Sequence, residues 1–117
     1  MKRPRKHDAA HLDFIRGLPC CVCGDDTTVE AAHLRAGNLD YGKRHTGLQE
    51  KPDDCWALPL CGRHHREQHA GNETKFWNER GINPWVLSMC LWRVSGDHEM
   101  SITILERQGH GSVTESS

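Results

Sequence analysis

The sequence lacks any long run of apolar residues. Only 36% of its 117 residues are hydrophobic, and the chain starts with MKRPRKHD. A membrane-spanning helix needs about 20 apolar residues, and a signal peptide needs an apolar segment of about 7–15 residues behind its basic start. We therefore expect a cytoplasmic protein with no membrane partner, in which cysteine thiols stay reduced.

The sequence also lacks a strong imbalance of charge. Its formal net charge is −1, which by itself does not indicate a nucleic-acid partner. A chain of this length suits one small domain. We divide it into a basic arm at residues 1–7, a folded domain at residues 8–95 and a polar tail at residues 96–117. Because the apolar content is low, a structural metal would be an ordinary way to stabilise the core.

The spacing of the cysteines indicates bound zinc. Cys20 and Cys23 form a C-x-x-C pair, and Cys61 and His64 repeat that spacing as C-x-x-H. Together they make a Cys₃His set, which structural Zn²⁺ sites use. Cys21 could replace Cys20 only with worse spacing. Two alternatives stay open, namely buried free cysteines and a disulfide-linked secreted domain, and the second would need a signal sequence.

Local patterns predict a mixture of short helices and strands. A polar loop at residues 37–52 is long for a compact domain unless it binds something. Asp8 and Asn72 are the expected N-caps of two helices, and Pro84 is expected to open another. The predicted elements are a helix at 8–18, a strand pair or a strand and turn at 27–37, a strand at 55–61, helices at 62–71, 72–81 and 84–94, and a strand at 102–105.

The helix expected at residues 62–71 carries three histidines. His65 and His69 are four residues apart, which is about one turn, so both imidazoles project from one face and can hold one ion. His64 lies about 100° away from His65 around the helix. We therefore predict that His64 binds the zinc and that the other two bind a second metal. Two solvated histidines are the alternative. A further histidine, His33, lies on the predicted strand of VEAAHLR.

Four motifs occur in order within residues 18–71: C-x-x-C, A-H-L-R, D-D-x-W-x-L-P-L-C and C-x-x-H-H-x-x-x-H. This set resembles the HNH endonuclease family, whose core is the ββα-metal finger. It looks closest to the small phage and prophage branch that includes the RecA-dependent recombination-enhancement nuclease. The resemblance implies a small α+β fold. Its treble-clef-like ββα-metal core would hold a structural zinc knuckle and be flanked by an N-terminal helix and two C-terminal helices.

The resemblance also implies an enzymatic mechanism. His33 matches the general base, which takes a proton from the water that attacks the scissile phosphate. An imidazole suits this role because its ordinary pKa is about 6.5. A catalytic divalent ion (Mg²⁺, Mn²⁺, Ni²⁺ or Zn²⁺) on His65 and His69 would stabilise the developing negative charge.

Two positions depart from the family pattern. The family's Asn, which orients the base, is replaced here by Asp53 and Asp54; we favour Asp54, which could alternatively bind the metal. Many members carry a metal ligand directly before the base, where this chain has Ala32. These departures are the best evidence for a rival interpretation, a zinc-stabilised DNA-binding or adaptor module with a degenerate HNH site. The retention of His33, His65 and His69 together is the evidence against it.

The implied substrate is DNA, cut at phosphodiester bonds during recombination or DNA processing. The enzyme would be encoded by a phage or prophage and act in the host cytoplasm, with a recombinase filament as a candidate partner. Its oligomeric state is left open. A solvated surface role is the alternative for each expected DNA contact. Those contacts are Arg35, Lys43, Arg44, Arg63 and Arg66.

Overall fold

The computed structural model describes residues 8–43 and 52–108, which form a small α+β fold, as predicted. A 3-10 turn at Leu39–Tyr41 follows the first strand. The other elements are α1 (Ala9–Arg16), β1 (Val29–His33), β2 (Ala57–Cys61), α2 (Gly62–Ala70), α3 (Glu73–Glu79), α4 (Pro84–Arg93) and α5 (His98–Gln108).

Three predicted regions lie partly or wholly outside the described residues. They are the basic arm at 1–7, the part of the polar loop at 44–51, and the end of the polar tail at 109–117. Among the helices that are described, none combines the length and the apolar content needed to cross a membrane.

The two strands pair antiparallel, in a register that runs from Val29 opposite Cys61 to His33 opposite Ala57. Every residue of β2 is buried, which agrees with the apolar run that predicted this strand. Helix α2 begins at Gly62, directly after the last residue of β2. We call β1, β2 and α2 the strand–strand–helix unit, because it carries most of the predicted site.

Helix starts follow the capping pattern read from the sequence. The Asp8 side chain accepts a hydrogen bond from the backbone N–H of His11 at 3.0 Å. The Asn72 side chain does the same for Lys75 at 2.9 Å, and Pro84 is the first residue of α4. Each cap satisfies a backbone donor that has no partner within its own helix. The three predicted helix starts are confirmed.

The apolar core lies between the sheet and the helices that precede and follow the strand–strand–helix unit. Helix α1 packs on both strands, α4 packs on β2, and α5 packs on α4. By contrast, α2 contacts both strands but buries only His64 and Gln68 of its nine residues. Apolar burial therefore does little to hold α2 in place. The fully buried aliphatic side chains of the core are Ile15, Leu18, Leu34, Leu58, Leu60, Leu87, Leu91 and Leu105.

The C-terminal part of the fold differs from the prediction. The strand expected at residues 102–105 is wrong, because His98–Gln108 forms α5, a third helix after α2 where two were expected. Ser101 and Leu105 are its buried residues, and their spacing of four residues is that of one helix face. The β-branched run at 102–104 suggested a strand, but packing against α4 overrides that propensity. The folded part thus extends beyond the boundary predicted at residue 95.

We expect Leu105→Ala to lower the free energy of unfolding by about 2–4 kcal/mol, because the change leaves a cavity in the core. Met100 on the same helix is 47% exposed, so Met100→Ala is the matched control and should cost less than about 1 kcal/mol. Urea denaturation of zinc-loaded protein measures both values. Equal losses for the two variants would contradict the packing of α5 through Leu105.

Candidate functional site

Cys20, Cys23, Cys61 and His64 come together at one point, as predicted. Their ligand atoms all lie within 4.8 Å of one another. The sulfur atoms of Cys23 and Cys61 are 3.9 Å apart. The Nδ1 atom of His64 is 3.3 Å from the Cys61 sulfur and 3.7 Å from the Cys20 sulfur. Two sulfurs on one tetrahedral zinc, each bound at about 2.3 Å, are about 3.8 Å apart. The group fits the size of a zinc ion and could hold a structural one.

Two short segments present these ligands. The first pair lies in a turn closed by a hydrogen bond from the Gly24 N–H to the Cys20 carbonyl at 2.8 Å. Gly24 has a φ of 81°, a conformation that residues with a Cβ rarely adopt. The Cys21 N–H donates to the Pro59 carbonyl at 2.9 Å and so ties this turn to β2. The second pair lies where β2 becomes α2, with Cys61 as the N-cap.

The surroundings shift the pKa values of Cys23, Cys61 and His64. Burial by itself raises the pKa of Cys61, but hydrogen bonds from the His64 and Arg63 backbone and from the neighbouring thiols outweigh it, so the pKa is lowered. Desolvation raises the pKa of Cys23 to about 11, and the Cys20 sulfur adds to the effect. Burial lowers the pKa of His64 and favours the neutral, metal-binding ring. A cation at the centre would stabilise the thiolates, so binding should release protons.

The side chain of His33, the last residue of β1, contacts that of Asp54, which lies shortly before β2. The Nε2 atom of His33 lies 2.8 Å from Oδ1 of Asp54, whose side chain is fully buried. The other Asp54 oxygen accepts the backbone N–H of Asp8 at 2.7 Å, which links this pair to the start of α1. Of the two aspartates left open by the sequence, Asp54 is therefore the one whose carboxylate contacts the imidazole.

His65 and His69 form a second pair on α2, and their Nε2 atoms are 3.1 Å apart. The Nδ1 atom of His65 lies 2.6 Å from a carboxylate oxygen of Glu30 on β1. His64 and His65 thus contact different groups, as their separation around the helix predicts. Across residues 8–43 and 52–108, the Cys₃His group is the one set of three or more side chains that could hold a metal as arranged. The second pair offers two ligands.

The basic residues predicted to contact DNA fall into three groups. Arg63 and Arg66 are exposed on α2, and Arg35 is partly buried after β1. Lys43 is 4% exposed, and its ammonium group donates to the Arg35 carbonyl at 3.1 Å. Lys43 therefore presents little surface to a partner as arranged, and its contact with DNA stays a prediction. Arg44 lies outside the described residues.

Sequence reasoning missed a carboxylate that supports the end of β1. Glu73, at the start of α3, accepts the backbone N–H groups of Arg35 at 3.2 Å and Ala36 at 2.7 Å. It also accepts the side-chain amide of Gln68 at 2.8 Å. In the sequence, Glu73 has the pattern of an ordinary acidic residue in a first helical turn, so no signal distinguished it.

We expect Cys61→Ser to reduce bound zinc from about one equivalent per chain to a small fraction, and to lower the melting temperature, because zinc binding and folding are coupled at such sites. Elemental analysis and thermal denaturation measure the two effects. Cys90→Ser is the control, since Cys90 lies on α4 outside the group. Full zinc retention by Cys61→Ser would contradict the assignment.

Comparison with known proteins identifies a family whose function is not described. No curated protein and no solved structure matches the chain significantly. A family model matches residues 1–95, which include the strand–strand–helix unit, the Cys₃His group and the His33–Asp54 and His65–His69 pairs. The chain therefore belongs to the family described as protein of unknown function (DUF968).

Proposed function

We propose that this protein is a metal-dependent endonuclease of the HNH class that hydrolyses DNA phosphodiester bonds, with the strand–strand–helix unit as its ββα-metal core. The observation that carries the proposal is the contact between His33 and the buried Asp54 at 2.8 Å. A histidine held by a buried carboxylate is an arrangement suited to a general base. This pair lies on the same unit as the His65–His69 pair, and the order of the elements is the one the family resemblance implies.

The His33–Asp54 contact determines which ring nitrogen can act. An ionised carboxylate only accepts hydrogen bonds, so the His33 Nε2–H donates to Asp54. The neutral ring then carries its lone pair on Nδ1, and this nitrogen would take the proton from the attacking water. Since both Asp54 oxygens already accept hydrogen bonds, we assign Asp54 to orienting the base rather than to binding metal.

His65 and His69 are suited to hold the catalytic divalent ion. Two imidazole nitrogens that bind one ion at about 2.1 Å are about 3.0–3.4 Å apart, and here the two Nε2 atoms are 3.1 Å apart. When bound, the ion would act as a Lewis acid that stabilises negative charge on the phosphate and on the leaving 3′ oxygen. Ala32 is fully buried and offers no ligand, so water and phosphate oxygens would complete the coordination.

The exposed face of α2 is the proposed side for DNA. Arg63 and Arg66 are exposed there, and arginines in such positions can bind phosphate oxygens without reading the base sequence. A role in phage or prophage recombination or DNA processing, with a recombinase filament as partner, rests on the family resemblance alone. The missing ligand at Ala32 favours a second candidate, a zinc-stabilised DNA-binding module, which would bind DNA without cutting it.

We expect zinc-loaded wild-type protein to nick supercoiled plasmid or cut single-stranded DNA when Mg²⁺, Mn²⁺ or Ni²⁺ is added, and not in EDTA. His33→Ala should reduce the rate at least about 100-fold, because it removes the general base. His98→Ala, an exposed histidine on α5, should cleave at the wild-type rate. A fully active His33→Ala protein would contradict the proposed base. Metal-independent DNA binding without cleavage by wild type would favour the second candidate.

The role of Asp54 gives a separate prediction. Asp54→Asn should keep activity within about 10-fold, because its amide oxygen can accept the hydrogen bond from Nε2–H, although the hydrogen bond that Oδ2 accepts from the Asp8 N–H is lost. Asp54→Ala should lose far more, because the hydrogen bond accepted from the His33 Nε2–H is removed. The rates are compared on plasmid at saturating metal, with zinc content and circular dichroism as controls for folding. Equal activity of the two variants would show that Asp54 does not orient the base.

A further inference from the structure

The two ring nitrogens of His65 have different partners. Nδ1 lies 2.6 Å from a carboxylate oxygen of Glu30, and Nε2 lies 3.1 Å from Nε2 of His69. The His65 side chain is 23% exposed, and that of Glu30 is 56% exposed. Glu30 therefore reaches across from β1 to a side chain of α2, although nothing in the sequence spacing associates the two.

We propose that Glu30 is a positioning residue that prepares His65 to bind the divalent ion. Its carboxylate accepts a hydrogen bond from the Nδ1–H of His65, so the lone pair of the neutral ring is on Nε2. That atom is the one next to His69. A histidine held in this way by a carboxylate is both oriented and made a more basic ligand. The inference rests on the proposed divalent-ion site of His65 and His69.

The position of Glu30 on β1 agrees with this role. Side chains alternate across a strand, so Glu30 lies on the same face as Ala32 and on the opposite face from His33. Its pairing partner on β2 is Leu60, one residue before the end of that strand, where α2 is about to begin. The carboxylate also lies near the first turn of α2, since a Cβ added at Gly62 would be 3.8 Å from Oε2 of Glu30.

The proposed divalent-ion site has few protein ligands, so the orientation of each ligand matters for binding. The residue directly before His33 on β1 is Ala32, which is fully buried and offers no metal ligand. More of the ion's ligands must therefore come from water or phosphate. Only two imidazoles then hold the ion, and His69 is exposed. Fixing the tautomer and orientation of one ligand before the ion arrives removes part of the ordering cost of binding. Glu30 does this without occupying a coordination position.

The test measures binding of Mn²⁺ by the zinc-loaded, full-length chain, from the electron paramagnetic resonance signal of free Mn²⁺. Mn²⁺ is the weakest competitor of the first-row series and should leave the zinc in place. We expect Glu30→Ala to weaken binding about 10–100-fold. Glu30→Gln should recover most of that loss, because its amide oxygen can still accept the Nδ1–H. Glu106→Ala, which removes an exposed carboxylate on α5, controls for net charge.

The tautomer of His65 is a second readout that needs no divalent ion. Long-range ¹H–¹⁵N spectra of the zinc-loaded protein should show the proton on Nδ1 in wild type and a mixture of tautomers in Glu30→Ala. Retained zinc and an unchanged circular dichroism spectrum show that each variant is folded.

Three results would overturn the inference, and they are distinguishable. If Glu30→Ala binds Mn²⁺ like wild type while His69→Ala does not, Glu30 has no positioning role but the divalent site stands. If Glu30→Gln is as weak as Glu30→Ala and the tautomer is unchanged in both, Glu30 is itself a ligand. If wild type binds no Mn²⁺ beyond its zinc, the inference and the proposed catalytic site fail together.

Discussion

The junction between β2 and α2 is the constraint on which the candidate sites depend. No residue separates the two elements, so Cys61 ends the strand and caps the helix. Since α2 buries only two of its residues, both polar, apolar packing cannot fix its direction. The contacts of Cys61 and His64 with Cys20 and Cys23 hold its first turn instead, and a zinc ion there would make them rigid. Further along the helix, His65 contacts Glu30 at 2.6 Å and Gln68 donates to Glu73 at 2.8 Å.

Side-chain direction on one short helix separates the Cys₃His group from the proposed divalent-ion site. His64 turns inward to the sulfur atoms, whereas His65 turns toward β1 and its Glu30. The proposed general base is not on the helix. His33 is the last residue of β1, and its side chain contacts Asp54. The same carboxylate accepts a hydrogen bond from the Asp8 N–H at the start of α1. The proposed ion site and the proposed base are thus contacted by different carboxylates, Glu30 and Asp54 respectively.

Local patterns predicted much of this arrangement. Ligand spacing identified the two pairs of the Cys₃His group, helical periodicity separated His64 from His65, and two capping residues and Pro84 located three helix starts, because each of these signals depends on neighbours within a few residues. What could not be predicted depends on contacts between distant segments. The sequence does not reveal that α5 packs on α4, that the Lys43 ammonium group donates to the Arg35 carbonyl, or that Glu73 accepts backbone hydrogen bonds after the end of β1. Glu30 was missed for the same reason, since 35 residues separate it from His65.

Anomalous diffraction from crystals of the zinc-loaded protein soaked in Mn²⁺ would locate each metal separately. We expect two peaks: zinc among Cys20, Cys23, Cys61 and His64, and manganese between the Nε2 atoms of His65 and His69. A single metal bound by residues of both groups, or manganese absent from the histidine pair at saturating concentration, would contradict the division of α2 into a structural side and a catalytic side.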